Sequence, residues 1–208
     1  MKCQNKGITG SLVQQFGHPS GILGWFAGQI MARRASNIDR NLWTVSLLSP
    51  KLDDTILEIG FGPGVAIEMV AEQIPKGQVI GLDHSMMMLN VATKRIRRFI
   101  EQGRVKLING SVDSVSNLPY RFDKVFTVNS LMFWEKPEIC LQSIHSKIKP
   151  GGMLAITHQP RNRGANHQDV ILAGNRIKAL LQKARLTDIT VHVKSMKPVS
   201  AVCVTART

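Results

Sequence analysis

The stretch Ile56-Leu57-Glu58-Ile59-Gly60-Phe61-Gly62-Pro63-Gly64 constrains this chain more than any other, because it reads as an apolar strand driven into a glycine turn. Glycines spaced two apart let the backbone turn tightly and let a ligand approach main-chain N–H groups without meeting a Cβ. A helix-like segment, Val65 to Ile74, follows. About twenty residues beyond the turn, a second apolar run, Gln78-Val79-Ile80-Gly81-Leu82, ends in Asp83. An acidic residue closing the second strand of such a unit is placed to hydrogen-bond the two hydroxyls of a ribose. The pair implies a nucleoside-containing cofactor.

A dinucleotide fingerprint, G-x-G-x-x-G, would need its third glycine at position 65, where Val65 stands. That disfavours a nicotinamide-dependent oxidoreductase. Glu58-x-Gly60-x-Gly62-x-Gly64 instead resembles the first motif of the Rossmann-like (class I) S-adenosylmethionine (SAM)-dependent methyltransferases of small-molecule type. Asp83-His84-Ser85, with Met88 and Leu89, resembles their second. Phe122-Asp123-Lys124-Val125 is similar to their fourth strand, and Lys149-Pro150-Gly151-Gly152-Met153-Leu154 to the turn entering their fifth. These segments stand in the family's order across residues 52–158.

Alternating strands and helices imply an α/β, doubly wound, mostly parallel sheet, with ligand at the carboxyl ends of its central strands. The resemblance adds seven strands, the last antiparallel. Residues 51–208 are expected to form the SAM-binding domain and 1–50 an N-terminal helical cap of the same domain. From Ile22 to Leu48 the pattern is helical, with Asn37 a candidate cap for a second helix. Further helices are expected at 65–74, 85–102, 138–148 and 168–184. Strands are expected at 78–83, 105–109, 124–128 and 153–157, with a closing antiparallel pair at 189–193 and 199–205.

Cys3, Cys140 and Cys203 show no C-x-x-C spacing, so neither a disulfide framework nor a zinc site is expected, and a reducing cytoplasm fits. The apolar run Ile22 to Ala32 is too short to span a bilayer, and Arg33 and Arg34 follow rather than precede it. The formal charge of +13 favours an anionic partner: nucleic acid, an acidic lipid surface or an anionic small molecule. Its densest cluster is Lys94, Arg95, Arg97, Arg98, Arg104 and Lys106, opposed locally only by Glu101. Leu89, Ala92, Ile96 and Phe99 recur at helical steps beneath it, so a solvated helix face is the simpler account. Aromatic residues are scarce there, which weighs against single-stranded nucleic acid.

The resemblance implies that Gly60, Gly62 and Gly64 wrap the methionine half of SAM. It implies that Glu58 polarises the turn, Asp83 takes the ribose hydroxyls, and His84 and Met88 pack around ribose and adenine. Gly110-Ser111-Val112 stands where many relatives have Gly-Asp-Ala, so Ser111 and Val112 inherit the adenine contact without a charge, with Asp113 an alternative. After the reaction the bound product would be S-adenosyl-L-homocysteine (SAH).

Methyl transfer from a sulfonium is an in-line displacement that needs alignment more than a dedicated catalytic residue. A base is required only where the acceptor must lose a proton. Val128-Asn129-Ser130-Leu131-Met132-Phe133-Trp134 lacks the Asn/Asp-Pro-Pro-aromatic motif of nitrogen-directed relatives and the Pro-Cys pair of cytosine-C5 enzymes. Asn129 is expected near the transferred methyl, with Met132, Phe133 and Trp134 as candidate walls of an acceptor pocket or as ordinary core. His158 and His18 are the candidate bases, ahead of Tyr120. The six histidines show no metal-ligand spacing, so no metal is expected. Residues 159–166 form a short connection, which shifts acceptor recognition onto Trp25, Phe26, Met31, Arg33, Arg40, Asn41 and Trp43.

The reading is methyl transfer to a small or lipophilic metabolite. An RNA- or anion-directed methyltransferase stays open. So does a SAM-binding interaction protein without turnover, drawn from the amphipathic run Gly24 to Arg34 and its potential for peripheral membrane contact. Oligomeric state is not legible.

Overall fold

The computed structural model describes residues 35–162 and 164–208. His18, Cys3, the run Ile22 to Ala32 and the cap residues Trp25, Phe26, Met31 and Arg33 lie outside the described residues, as does most of the proposed cap 1–50. Within them, helix α1 (Ala35–Leu48) leads to β1 (Thr55–Ile59), α2 (Val65–Gln73) and β2 (Gln78–Asp83). Helices α3 (Met86–Arg95) and α4 (Arg97–Glu101) precede β3 (Val105–Asn109). A 3-10 turn at Val112–Asn117 and β4 (Phe122–Val128) follow. The chain closes with α5 (Pro137–Lys147), β5 (Ile148–His158), α6 (His167–Lys183), β6 (Thr187–Lys194) and β7 (Ala201–Arg207).

The strands form one seven-stranded sheet in the order β3-β2-β1-β4-β5-β7-β6. β1 to β5 run parallel. β7 is antiparallel to both β5 and β6, slotting between them as the expected last strand. Winding reverses between β1 and β4, so the crevice for a ligand opens at their carboxyl ends.

Period-two alternation sorts the strand residues between two cores. Leu57, Val125, Leu154 and Val204 face the side covered by α5 and α6. Ile56, Phe126, Ala155 and Cys203 face the other, where α2 and Val45 and Leu48 of α1 pack. Glu58 shares the parity of Ile56, so its carboxyl is carried toward α2.

Three expected boundaries are corrected. The helix expected at 85–102 leaves α-geometry at Ile96 (φ −105°, ψ 21°). Apolar spacing does not register this break, because Ile96 and Phe99 stay buried on either side of it. Asn37 lies inside α1 rather than capping a helix; its side-chain oxygen accepts instead from Arg40. β5 starts at Ile148, five residues before the expected 153, directly after the helix ends ahead of Pro150.

At the opposite, amino end of β4 and β5 lies a cavity of about 300 Å³ lined by Lys51, Asp54, Asp123, Lys124, Lys149 and Arg207. Its charges largely satisfy one another, Lys124 with Asp54 at 3.4 Å and Lys149 with Asp123 at 2.8 Å. It is remote from the glycine turn and takes no part in the site.

Candidate functional site

The glycine turn follows β1 with Gly60, Gly62 and Gly64 all left-handed, at φ 74°, 51° and 77°. The Gly60 N–H donates to Leu82 O at 2.7 Å and the Gly64 N–H to Phe61 O at 3.0 Å. A Cβ on Gly60 would stand 2.6 Å from the Ser130 side chain, whereas one on Gly62 would meet nothing within 4 Å. Gly60 is therefore needed by the fold, whereas the space beside Gly62 is open.

Asp83 is buried at the end of β2. Its Oδ2 accepts from the Gly62 N–H at 2.8 Å and its Oδ1 from the Ser85 N–H at 2.9 Å. One carboxyl thus lashes the glycine turn to the start of α3. Burial raises its pKa above the ordinary carboxylate value, against the pull of those two N–H groups and of His84. His84 Nδ1 lies 3.8 Å from Oδ1, with its side chain 42% exposed. Met88 is buried, and its N–H donates to the Ser85 hydroxyl that caps α3.

Arg95 is a residue that sequence reasoning placed only within the basic cluster. Its Nε–H donates to Pro63 O at 3.0 Å and its Nη1 to Glu68 at 3.1 Å, bracing the glycine turn from outside. Four more of that cluster are also engaged. Arg98 pairs with Glu72 and Arg97 with Glu101, while Arg104 donates to Ala71 O and Ile74 O. Lys106 lies 5.8 Å over the Tyr120 ring, where that tyrosine packs as partly buried core. The expectation that only Glu101 opposes these charges is corrected: α2 presents Glu68, in its first turn, and Glu72 to them, a pairing between helices that linear spacing does not register.

Glu58 is buried, and the Ile67 N–H in the first turn of α2 donates to its carboxyl. This bond serves a helix whose N-cap, Gly64, has no side chain to cap it. Its Oε2 is buried without a partner. Burial first, and then nearby Asp83, push the Glu58 pKa well above the ordinary range. A carboxyl raised in the fold stabilises it fully below the unfolded value and loses that contribution as pH rises toward the folded one. His158 has the opposite sign, its contribution being complete above 6.5. Glu58 should therefore contribute a fall in the Tm of the ligand-free protein as pH rises from the ordinary carboxylate value toward its folded one. The slope should approach about 1.4 kcal/mol per pH unit while Glu58 is neutral only in the fold. Glu58→Gln should flatten the slope in thermal unfolding series, and parallel profiles for the two proteins would refute this account.

Ser111 is exposed and its hydroxyl donates to Asp113 Oδ2 at 3.2 Å. Cys140 Sγ occupies the other Asp113 oxygen at 3.4 Å, so Asp113 is held against α5 rather than released toward the turn. Val112 is buried at the start of the 3-10 turn. Cys140 and Cys203 are buried free thiols, pushed up to about 11 and about 12. Among the described residues no group of three His, Cys, Asp or Glu could hold a metal ion.

On the other side of the crevice, Asn129 directly follows β4 at φ 55°. Its Oδ1 accepts from the Gln159 N–H at 2.8 Å, and its Nδ2 is buried without a partner. Met132 and Phe133 are 48% and 47% exposed, while the Trp134 Nε1–H donates to the Ser130 hydroxyl. His158 is partly buried at the end of β5. Its pKa is lowered to about 4 by burial and then by Arg161 and Arg40, so it is neutral near pH 7 and a weak base. Arg40 and Asn41 are buried in α1 and Trp43 is half-buried.

A family model described as a methyltransferase domain matches residues 56–152. Uncharacterized methyltransferase YdaC of Bacillus subtilis (strain 168) is 35% identical over 181 residues, covering 87% of this chain and 97% of YdaC. The mitochondrial ubiquinone biosynthesis O-methyltransferase of Schizosaccharomyces pombe is 34% identical over 119 residues, 57% of this chain and 42% of that protein. Among solved structures, the N-methyltransferase NodS from Bradyrhizobium japonicum WM9, in complex with SAH, aligns at a TM-score of 0.67 and 13% identity. That alignment covers 96% of this chain and 97% of NodS. At such identity the likeness speaks to the fold.

Proposed function

This chain belongs to the class I SAM-dependent methyltransferase family, and from that premise we propose that it methylates a small, lipophilic metabolite at the carboxyl edge of β1, β4 and β5. The observation that carries the reading is the pairing of an open glycine turn with Asp83, whose carboxyl is already seated on the Gly62 N–H. The unpartnered Glu58 Oε2 and Asn129 Nδ2 fit a donor that carries an ammonium and a carboxylate.

In this reading Gly60, Gly62 and Gly64 hold the methionine half of SAM and Asp83 its ribose hydroxyls. His84 and Met88 flank the ribose, and Ser111 and Val112 border the adenine. SAM supplies an activated methyl group on a sulfonium, a good leaving group. The protein's residues orient the acceptor and keep water out. Asn129, anchored through Gln159, positions the acceptor beside the turn. His158, neutral and disfavoured as an imidazolium, orients the acceptor in preference to removing its proton.

The acceptor's lipophilic character is supported by the half-exposed pair Met132 and Phe133 beside Asn129. The quinone-pathway relative agrees with it. Internal pairing of the basic cluster removes the main support for an RNA acceptor.

Calorimetry should find SAH binding, and methyl-labelled SAM incubated with cell-extract fractions should place label in organic-extractable small molecules. Label confined to precipitated RNA or protein would overturn the acceptor assignment.

A further inference from the structure

Arg40 is 2% exposed, yet no carboxylate stands against it among the described residues. Its Nη1 donates to Gln159 Oε1 at 2.6 Å and its Nη2 to Asn37 Oδ1, both neutral amides. Its Nε–H is buried without an acceptor. Arginine is rarely buried unless paired, because removing its charge from water is costly.

The surroundings deepen that cost rather than relieve it. Burial and then the like charge of Arg161 lower Arg40 to about 9. The chain outside the described residues holds no counter-charge either. No Asp or Glu occurs before Asp39, and position 163 is arginine.

The cluster also has a telling position. Gln159, which receives Arg40, donates its own N–H to Asn129 Oδ1 at the carboxyl end of β4. Thr44, one turn along α1 from Arg40, shares a 2.7 Å hydrogen bond with Thr157 of β5. The neighbouring Ser130 side chain stands against Gly60. A hydrogen-bonded path therefore runs from the guanidinium through Gln159 to Asn129, whose neighbour Ser130 flanks the glycine turn. Arg40 is buried, His158 half-buried and Arg161 exposed, and both arginines lie near enough to act on the imidazole.

We propose that Arg40, Arg161 and His158 line an oxyanion pocket that holds a carboxylate or phosphate of the methyl acceptor, making the substrate a lipophilic acid rather than a neutral lipid. This rests on the methyltransferase reading above. The free edge of the Arg40 guanidinium, Nε–H with an adjacent Nη–H, is the fork that oxyanions accept in bidentate fashion. Arg161 closes the pocket from the solvent side.

The test uses the full chain saturated with SAH and titrated with benzoate, phenyl phosphate and neutral benzamide. At least one of the anions should bind more than about tenfold tighter than benzamide, and the preferred anion distinguishes carboxylate from phosphate. Arg161→Gln, a change at an exposed position, should weaken that anion by about tenfold while SAH affinity stays within about twofold. Arg40→Lys keeps the charge but loses the fork and should weaken it comparably. Equal binding of benzamide, or an Arg161→Gln titration that matches the native one, would overturn the proposal. Should native protein fail to bind SAH, the methyltransferase reading falls, and the same titrations on ligand-free protein still decide whether the pocket selects anions.

Discussion

Asp83→Ala should weaken SAH binding by at least about 100-fold, because a carboxylate gripping two ribose hydroxyls contributes two charge-assisted hydrogen bonds of about 1.5–3 kcal/mol each. The carboxyl also accepts from the Gly62 and Ser85 N–H groups. Its loss therefore leaves the glycine turn less well held as well as removing the ribose contact. Stability should suffer less than binding. Asp83 has a raised pKa, so its contribution to the fold is complete below the ordinary carboxylate value and declines as pH rises through the folded one. A buried carboxyl whose ionised form is disfavoured is retained at a cost, as expected where binding takes precedence over stability. Calorimetry well below the Tm should thus find a folded variant with little affinity. A dissociation constant within threefold of native would remove Asp83 from the site.

Alanine at Gly60 and at Gly62 should have opposite consequences. Both residues are left-handed, at φ 74° and φ 51°, so each substitution carries about 1–2 kcal/mol of backbone strain. Only at Gly60 does the new methyl collide, standing 2.6 Å from Ser130 Cβ and Oγ. Moving Ser130 would also disturb the hydroxyl that receives the Trp134 indole N–H. Overpacking of this kind adds about 1–3 kcal/mol, enough in total to lower the Tm by roughly 10 °C in a chain of this size. Ser130→Gly in the same chain should recover the steric part and leave the strain. Gly62→Ala has open space around its methyl and should lower the Tm by only a few degrees. That methyl would nevertheless project where the donor approaches the turn, so SAH affinity should collapse. Native SAH affinity in a Gly62→Ala protein would show that the turn is structural and holds no ligand.

The contrast between these glycines shows where a linear reading ends. The spacing of Gly60, Gly62 and Gly64 announces a turn, and Asp83 announces the ligand it suits. Both are local signals, carried by glycine's backbone freedom and by an acid closing a strand. The separate duties of Gly60 and Gly62 depend on Ser130, which folding brings over the first and not the second. Arg95 is a similar case. Charge counting placed it in a solvated basic face, but packing of α3 against α2 turns it into a brace on Pro63 O.

Strand and helix order and the parallel sheet were legible in the amino-acid order, because period-two and helical spacing report which face each residue buries; the antiparallel last strand and the family came from the resemblance of the glycine, Asp83, Phe122–Val125 and Lys149–Leu154 motifs. What only the tertiary structure decided is the state of the charges. Glu58 is pushed toward its neutral form by burial beside Asp83. His158 is held deprotonated by burial and then by Arg161 and Arg40. Arg40 itself is sunk against Gln159, 119 positions away, with no acid to meet it. Whether a side chain is ionised depends on how much water it loses and on which charges surround it, and those neighbours are brought together by folding rather than by adjacency along the chain.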